Sequence, residues 1–159
     1  MRDINIEVKV QSLFINELSD KERQLAEQAY IAAERAYAPY SRFYVGAAVL
    51  LENGAIVSGN NQENAAYPSG LCAERVALFY AGAQYPNIPV TTLAVIALKG
   101  GEIQEHVSPC GSCRQVLLET EQRYQRPIKI LLCGREDVLA IEGATSLLPL
   151  SFGKEYLDK

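Results

Sequence analysis

The sequence predicts an α/β fold in three layers, with helices covering both faces of a mixed sheet. Three observations carry that prediction. An apolar run from Phe43 to Leu51 turns at Glu52-Asn53-Gly54 and resumes at Ala55-Ile56-Val57, the pattern of a β-hairpin closed by an Asn-Gly turn. Downstream, helix and strand signals alternate: a helix over Cys72 to Gly82, a strand at Thr91 to Leu98, a helix from Pro109 and a strand at Ile128 to Cys133. Finally, 159 residues with 48% hydrophobic and 21% charged content suffice for one core and not for two, so one domain spanning 1–159 is expected.

The elements follow in order. Ile4, Ile6, Val8 and Val10 alternate with Asn5, Glu7 and Lys9, which reads as a short N-terminal strand with one apolar face. Ser19-Asp20-Lys21-Glu22 is a capping box, in which hydroxyl and carboxylate satisfy the free amides of a helix start. The helix is expected to reach about Tyr37, with Leu25, Ala29, Ala32, Ala33 and Ala36 as its apolar stripe and Pro39 as its stop. The hairpin comes next, and Gly100-Gly101 supplies the turn after the Thr91 to Leu98 strand. Ile128-Lys129-Ile130-Leu131-Leu132-Cys133 reads as a buried strand, which makes Cys133 a small core residue or else a fourth metal ligand.

Composition narrows the chemistry. No run approaches the roughly 18 apolar residues of a membrane span, and Met1 to Glu7 lacks the apolar core of a signal peptide, so a cytoplasmic protein with no membrane partner is expected. In a reducing compartment four cysteines are thiols or metal ligands rather than a disulfide framework. A net charge of −4 gives no basic footprint for nucleic acid and favours a small, largely uncharged substrate.

The chemistry gathers in two motifs, Cys72-Ala73-Glu74 and Pro109-Cys110-Gly111-Ser112-Cys113. Three thiolates suit zinc and leave its fourth position open, as catalytic sites do and structural sites do not. The i,i+3 spacing puts Cys110 and Cys113 on one face of a helical turn, and Cys72 must join them from elsewhere in the fold. Both motifs open helices, whose free amides and positive dipole end stabilise thiolates, with Pro109 suited to a first turn. Glu74, two positions from Cys72, can reach a metal-activated water and shuttle protons, although a first-turn glutamate is also common as a partner of the helix dipole. Arg75 is the candidate to draw excess negative charge off the sulfurs. His106 reads as a surface residue.

Cys-Ala-Glu-Arg followed by Pro-Cys-Gly-Ser-Cys resembles the zinc-dependent cytidine deaminases, in the all-cysteine form of the small homotetrameric enzymes. The resemblance runs from about Glu22 to Lys154. It implies a mixed five-stranded central sheet, one Zn²⁺ per chain on Cys72, Cys110 and Cys113, and Glu74 as the catalytic acid and base. Tyr40-Ser41-Arg42-Phe43-Tyr44-Val45-Gly46 looks like the family's first core strand, with Phe43 lining the pyrimidine pocket. In Asn61-Gln62-Glu63-Asn64-Ala65-Ala66-Tyr67, the resemblance makes Asn61 and Glu63 partners of the ribose hydroxyls. It also gives Ala73 backbone contacts to the base and makes Phe152 a wall of a neighbouring subunit's pocket, in a homotetramer or homodimer. The leading strand at Ile4 to Val10 departs from the shortest members.

The implied function is hydrolytic deamination of cytidine and 2'-deoxycytidine in pyrimidine salvage. One alternative is a deaminase of another cytosine nucleoside, such as a nucleoside antibiotic. Another, from a different class, is a structural zinc or redox module in which Cys110 and Cys113 form a dithiol or Cys133 closes the site.

Overall fold

In the computed structural model, residues 1–157 are described; positions 158 and 159 of the expected domain lie outside them. The strands are β1 (Val10–Phe14), β2 (Tyr44–Leu51), β3 (Ile56–Asn60), β4 (Val90–Lys99), β5 (Glu102–Ile103), β6 (Lys129–Cys133) and β7 (Asp137–Glu142). The helices are α1 (Asp20–Glu34), α2 (Ala73–Gln84) and α3 (Gly111–Tyr124). Six strands run in the order β1-β7-β6-β4-β2-β3, and β5 folds back on β4. Only β4 and β6 run parallel; the other pairs are antiparallel, which gives the mixed sheet.

The hairpin forms as the sequence requires. β2 and β3 pair from Gly46 against Asn60 to Leu50 against Ile56, with Gly54 in the left-handed region at φ +87°. Apolar side chains of the sheet then divide between two cores. On one face α1 buries Leu25, Ala26, Ala29 and Ala33 against Ala48, Ala94, Ile96 and Leu131. On the other, α2 and α3 bury Ala77, Leu78, Ala81, Leu117 and Leu118 against Val49, Leu93, Val95 and Ile130. These are the three expected layers, and the second of them brings the starts of α2 and α3 together.

Four expectations need correction. The N-terminal strand lies at Val10–Phe14 rather than Ile4 to Val10, because its partner β7 ends at Glu142 and residues 4–8 extend beyond that partner. The sheet exceeds the expected five strands: β1 adds an edge to β7, and Gly100 and Gly101, both at positive φ, turn the chain back to form β5. α1 ends at Glu34 and does not reach Tyr37, whose amide instead donates to the Asn61 carbonyl at 3.0 Å. Pro109 precedes the cap of α3 instead of standing in its first turn; Cys110 is that cap.

Candidate metal centre

Both helix starts present a cysteine in the cap position. Cys72 caps α2 with φ −72° and ψ 153°, and Cys110 caps α3 with φ −66° and ψ 167°. Neither sulfur caps a backbone amide of its own helix, so both are free to turn toward each other. Cys72 Sγ and Cys110 Sγ are 3.7 Å apart, and Cys110 Sγ lies 3.5 Å from Cys113 Sγ, which is buried one turn into α3. All three sulfurs lie within 4.8 Å of one another, and among the described residues they are the one such cluster of metal-ligating groups. A tetrahedral site with Zn–S bonds of roughly 2.3 Å spaces its sulfurs about 3.8 Å apart, so the trio fits zinc.

The electrostatics fit as well. The Cys72 thiol is brought down to about 5 by a hydrogen bond from Cys113 and, after it, by Arg75, whose Nη2 donates to Cys72 Sγ at 3.7 Å. Cys113 holds its proton correspondingly tightly, through that bond to Cys72 and through burial. Burial also raises the Glu74 carboxyl, and the neighbouring negative sulfur of Cys72 adds to the effect. Arg75 Nε is buried with no hydrogen-bond partner among the described residues. The site therefore has a thiolate, a carboxyl of raised proton affinity and a cation held side by side in the first turn of one helix and its cap.

A cavity of about 500 Å³ opens onto Cys72 and Arg75, and Asn61, Glu63, Tyr40 and Tyr67 also line it. That volume suits a small molecule. Asn61 is already oriented: Oδ1 accepts from the Val45 amide at 2.8 Å and Nδ2 donates to the Phe43 carbonyl at 2.9 Å. One lone pair and one N–H of that amide remain for a ligand. Glu63 accepts from the Tyr40 and Ser41 amides at 2.9 and 3.2 Å and from the Ser41 hydroxyl, which lowers its pKa and keeps it an acceptor.

Other expected site residues stand apart from the cavity. Phe43 is half-buried ahead of β2 and does not line it. Phe152 is 59% exposed, stacked on Tyr156 with ring centroids 5.6 Å apart, and likewise lies outside it. Ala73 is fully buried in the first turn of α2. Cys133 belongs to the α1 side of the sheet, where burial pushes its thiol up to about 12, so it is not a fourth ligand. His106 is half-buried rather than superficial and pairs with Asp137 at 2.8 Å.

Arg114, to which the sequence signals gave no role, clamps the loop before Cys110. Its guanidinium donates to the Pro109 carbonyl at 2.8 Å, to Ser108 Oγ at 2.9 Å and to the Leu147 carbonyl at 2.8 Å. The one available hint was its position next to Cys113, as Arg75 stands next to Glu74.

A family model described as the cytidine and deoxycytidylate deaminase zinc-binding region matches residues 19–125, from the cap of α1 to the end of α3. A cytidine deaminase of Sporosarcina psychrophila is 40% identical over 139 residues, covering 87% of this chain and 96% of its own. One of Halalkalibacterium halodurans is 45% identical over 97 residues, covering 61% of this chain and 70% of its own. Among solved structures, cytidine deaminase from Burkholderia pseudomallei is similar at a TM-score of 0.70 and 38% identity, over 81% of this chain and 97% of that one.

Proposed function

The chain belongs to the cytidine and deoxycytidylate deaminase family, and from that premise we propose that it hydrolyses cytidine and 2'-deoxycytidine to uridine and 2'-deoxyuridine in pyrimidine salvage. The observation that carries the proposal is three cysteine sulfurs within 4.8 Å of one another beside the buried Glu74. Cys72, Cys110 and Cys113 would hold one zinc ion per chain. When bound, zinc supplies the Lewis acidity that makes water a nucleophile near neutral pH.

Glu74 does the proton work. In the overall reaction water gives its oxygen to C4 and its two hydrogens to ring N3 and the departing amine, which leaves as ammonia. A carboxyl whose proton affinity burial has raised is suited to take the first proton and deliver the second. Arg75 draws charge from Cys72 through its 3.7 Å contact. Asn61 and Glu63, fixed by the backbone they bind, present acceptors and a donor to the sugar hydroxyls. By the family resemblance the Ala73 backbone would touch the base and Phe152 would wall the pocket of a neighbouring chain, while Phe43, which does not line the cavity of about 500 Å³, would reach the pyrimidine from outside it.

That last role belongs with a homotetramer, or a homodimer with the same exchange. Exposed aromatics support it: Phe79 and Tyr80 on α2, Tyr67 at the cavity and Phe152 on the tail. Three thiols that must stay reduced suit the cytoplasm. Among the described residues no helix is long and apolar enough to cross a membrane. The substrate is taken to be a free nucleoside and not a nucleic acid, in keeping with a net charge of −4.

Glu74→Gln tests the assignment, since it keeps the shape of the side chain and removes its proton chemistry. Zinc per chain should stay at the parent value while ammonia release from cytidine falls by roughly 10²–10⁴-fold. Undiminished turnover in that variant would remove Glu74 from the reaction. Running the same assay on a panel of cytosine nucleosides separates the ordinary substrate from a modified one.

A further inference from the structure

We propose that His106 is a positioning residue for the zinc site: it pins the loop carrying Cys110 to strand β7, and strand β1 braces that pin through Ser12. The inference rests on reading Cys72, Cys110 and Cys113 as the zinc ligands.

Cys110 is exposed and its sulfur makes no cap hydrogen bond to the backbone of α3, meeting instead the sulfurs of Cys72 and Cys113, so the backbone that delivers it sets its position. That backbone is the segment between β5 and α3, and it is fastened at both ends. Arg114 holds the end nearest the metal through Pro109 and Ser108. His106 holds the other, with Nε2 2.8 Å from Asp137 Oδ1 and 3.2 Å from the Asp137 carbonyl oxygen. Only Val107, Ser108 and the fully buried, φ-locked Pro109 separate His106 from Cys110, a short leash with little slack.

The anchor itself is built from distant parts of the chain. Asp137 is the first residue of β7, and the oxygen that does not face His106 accepts a hydrogen bond from Ser12 of β1. Its carboxyl is held below the ordinary range by Ser12 first and by His106 as well, so it stays an acceptor for both. Gly134 makes room for the ring: a Cβ there would lie 2.7 Å from His106 Nε2 and 2.9 Å from Cδ2. The added N-terminal strand thus has work beyond covering an edge, because it fixes the carboxylate that fixes the loop.

Zinc affinity measured by chelator competition tests this, alongside melting of the zinc-free protein. His106→Ala should weaken zinc binding by about 10-fold and lower kcat with little change in KM. His106→Gln, whose amide nitrogen can still donate to Asp137, should recover most of the loss. Ser12→Ala, on the far side of Asp137, should shift zinc affinity in the same direction by roughly 2- to 3-fold, and it keeps the test open if His106→Ala does not fold. Parent-like zinc affinity in the variants, with only the zinc-free melting lowered, would show a merely structural contact and overturn the inference. If the parent protein itself bound no zinc, the ligand assignment would fail first and take this inference with it.

Discussion

At Arg75 a guanidinium lies against a sulfur trio that, once it holds a divalent ion, carries one negative charge in excess. Its Nη2 contact with Cys72 at 3.7 Å sets a cation against that charge, and its buried Nε adds a donor with no hydrogen-bond partner among the described residues. Arg75→Gln should therefore keep zinc yet lower kcat by about 10- to 100-fold. Arg75→Lys should recover part of that, since it restores the charge without the planar fork. Zinc per chain and steady-state kinetics check both, and an unchanged kcat in Arg75→Gln would assign charge relief elsewhere. Arg75 was legible beforehand because it adjoins Glu74 in one short motif, as the three cysteines were legible from two. Arg114 and His106 were not, because what gives them meaning, the Leu147 carbonyl and Asp137, lies 33 and 31 residues further along the chain.

Between elements, Glu121 does for the α3 side what the capping box does for α1. Its Oε1 accepts from the Ile128 amide at 2.7 Å, just ahead of β6, and from the Ala144 amide at 2.8 Å, just beyond β7. Glu121→Ala would strand two buried donors, at about 1–3 kcal/mol each, and the loss should appear in denaturant unfolding of the whole domain. Glu121→Gln keeps an oxygen there, and its difference from the parent depends on pH. Burial outweighs the two donors and raises the Glu121 carboxyl. Its stabilising contribution is therefore whole below the unfolded-state value and is lost as pH rises through the folded one. The stability difference should move in favour of Glu121→Gln as pH rises from about 4 to 7, which melting at several pH values would show. The Ser19 and Glu22 box was readable because its partners are three residues apart. β7 was not, because Val138-Leu139-Ala140-Ile141 is a short apolar run without alternation, and it becomes a strand only between β6 and β1. The displacement of β1 has the same origin: alternation marked residues 4–10 as strand-like, and only the length of β7 decides which residues pair.

For the whole molecule, the fold class was legible because the hairpin and the helix-strand alternation are local signals, whereas the proposed shared pocket would be a property of several chains. A single chain provides Cys72, Asn61 and Glu63 at one cavity while Phe152, 59% exposed, stacks on Tyr156 outside it. If Phe152 closes a neighbour's pocket, two defects placed on different chains should compensate. Phe152→Ala should leave zinc content and folding intact, since the side chain is mostly in solvent, and should reduce kcat/KM for cytidine. Glu74→Gln chains, expected to lose turnover by a separate route, still carry Phe152. Dissociated and reassembled together, the two variants would place intact Phe152 beside sites with intact Glu74, and the mixture should exceed the sum of the separately assembled variants. A strictly additive mixture, with subunit exchange confirmed by mass, would mean that each pocket is complete within its own chain and that Phe152 does no more than stack on Tyr156.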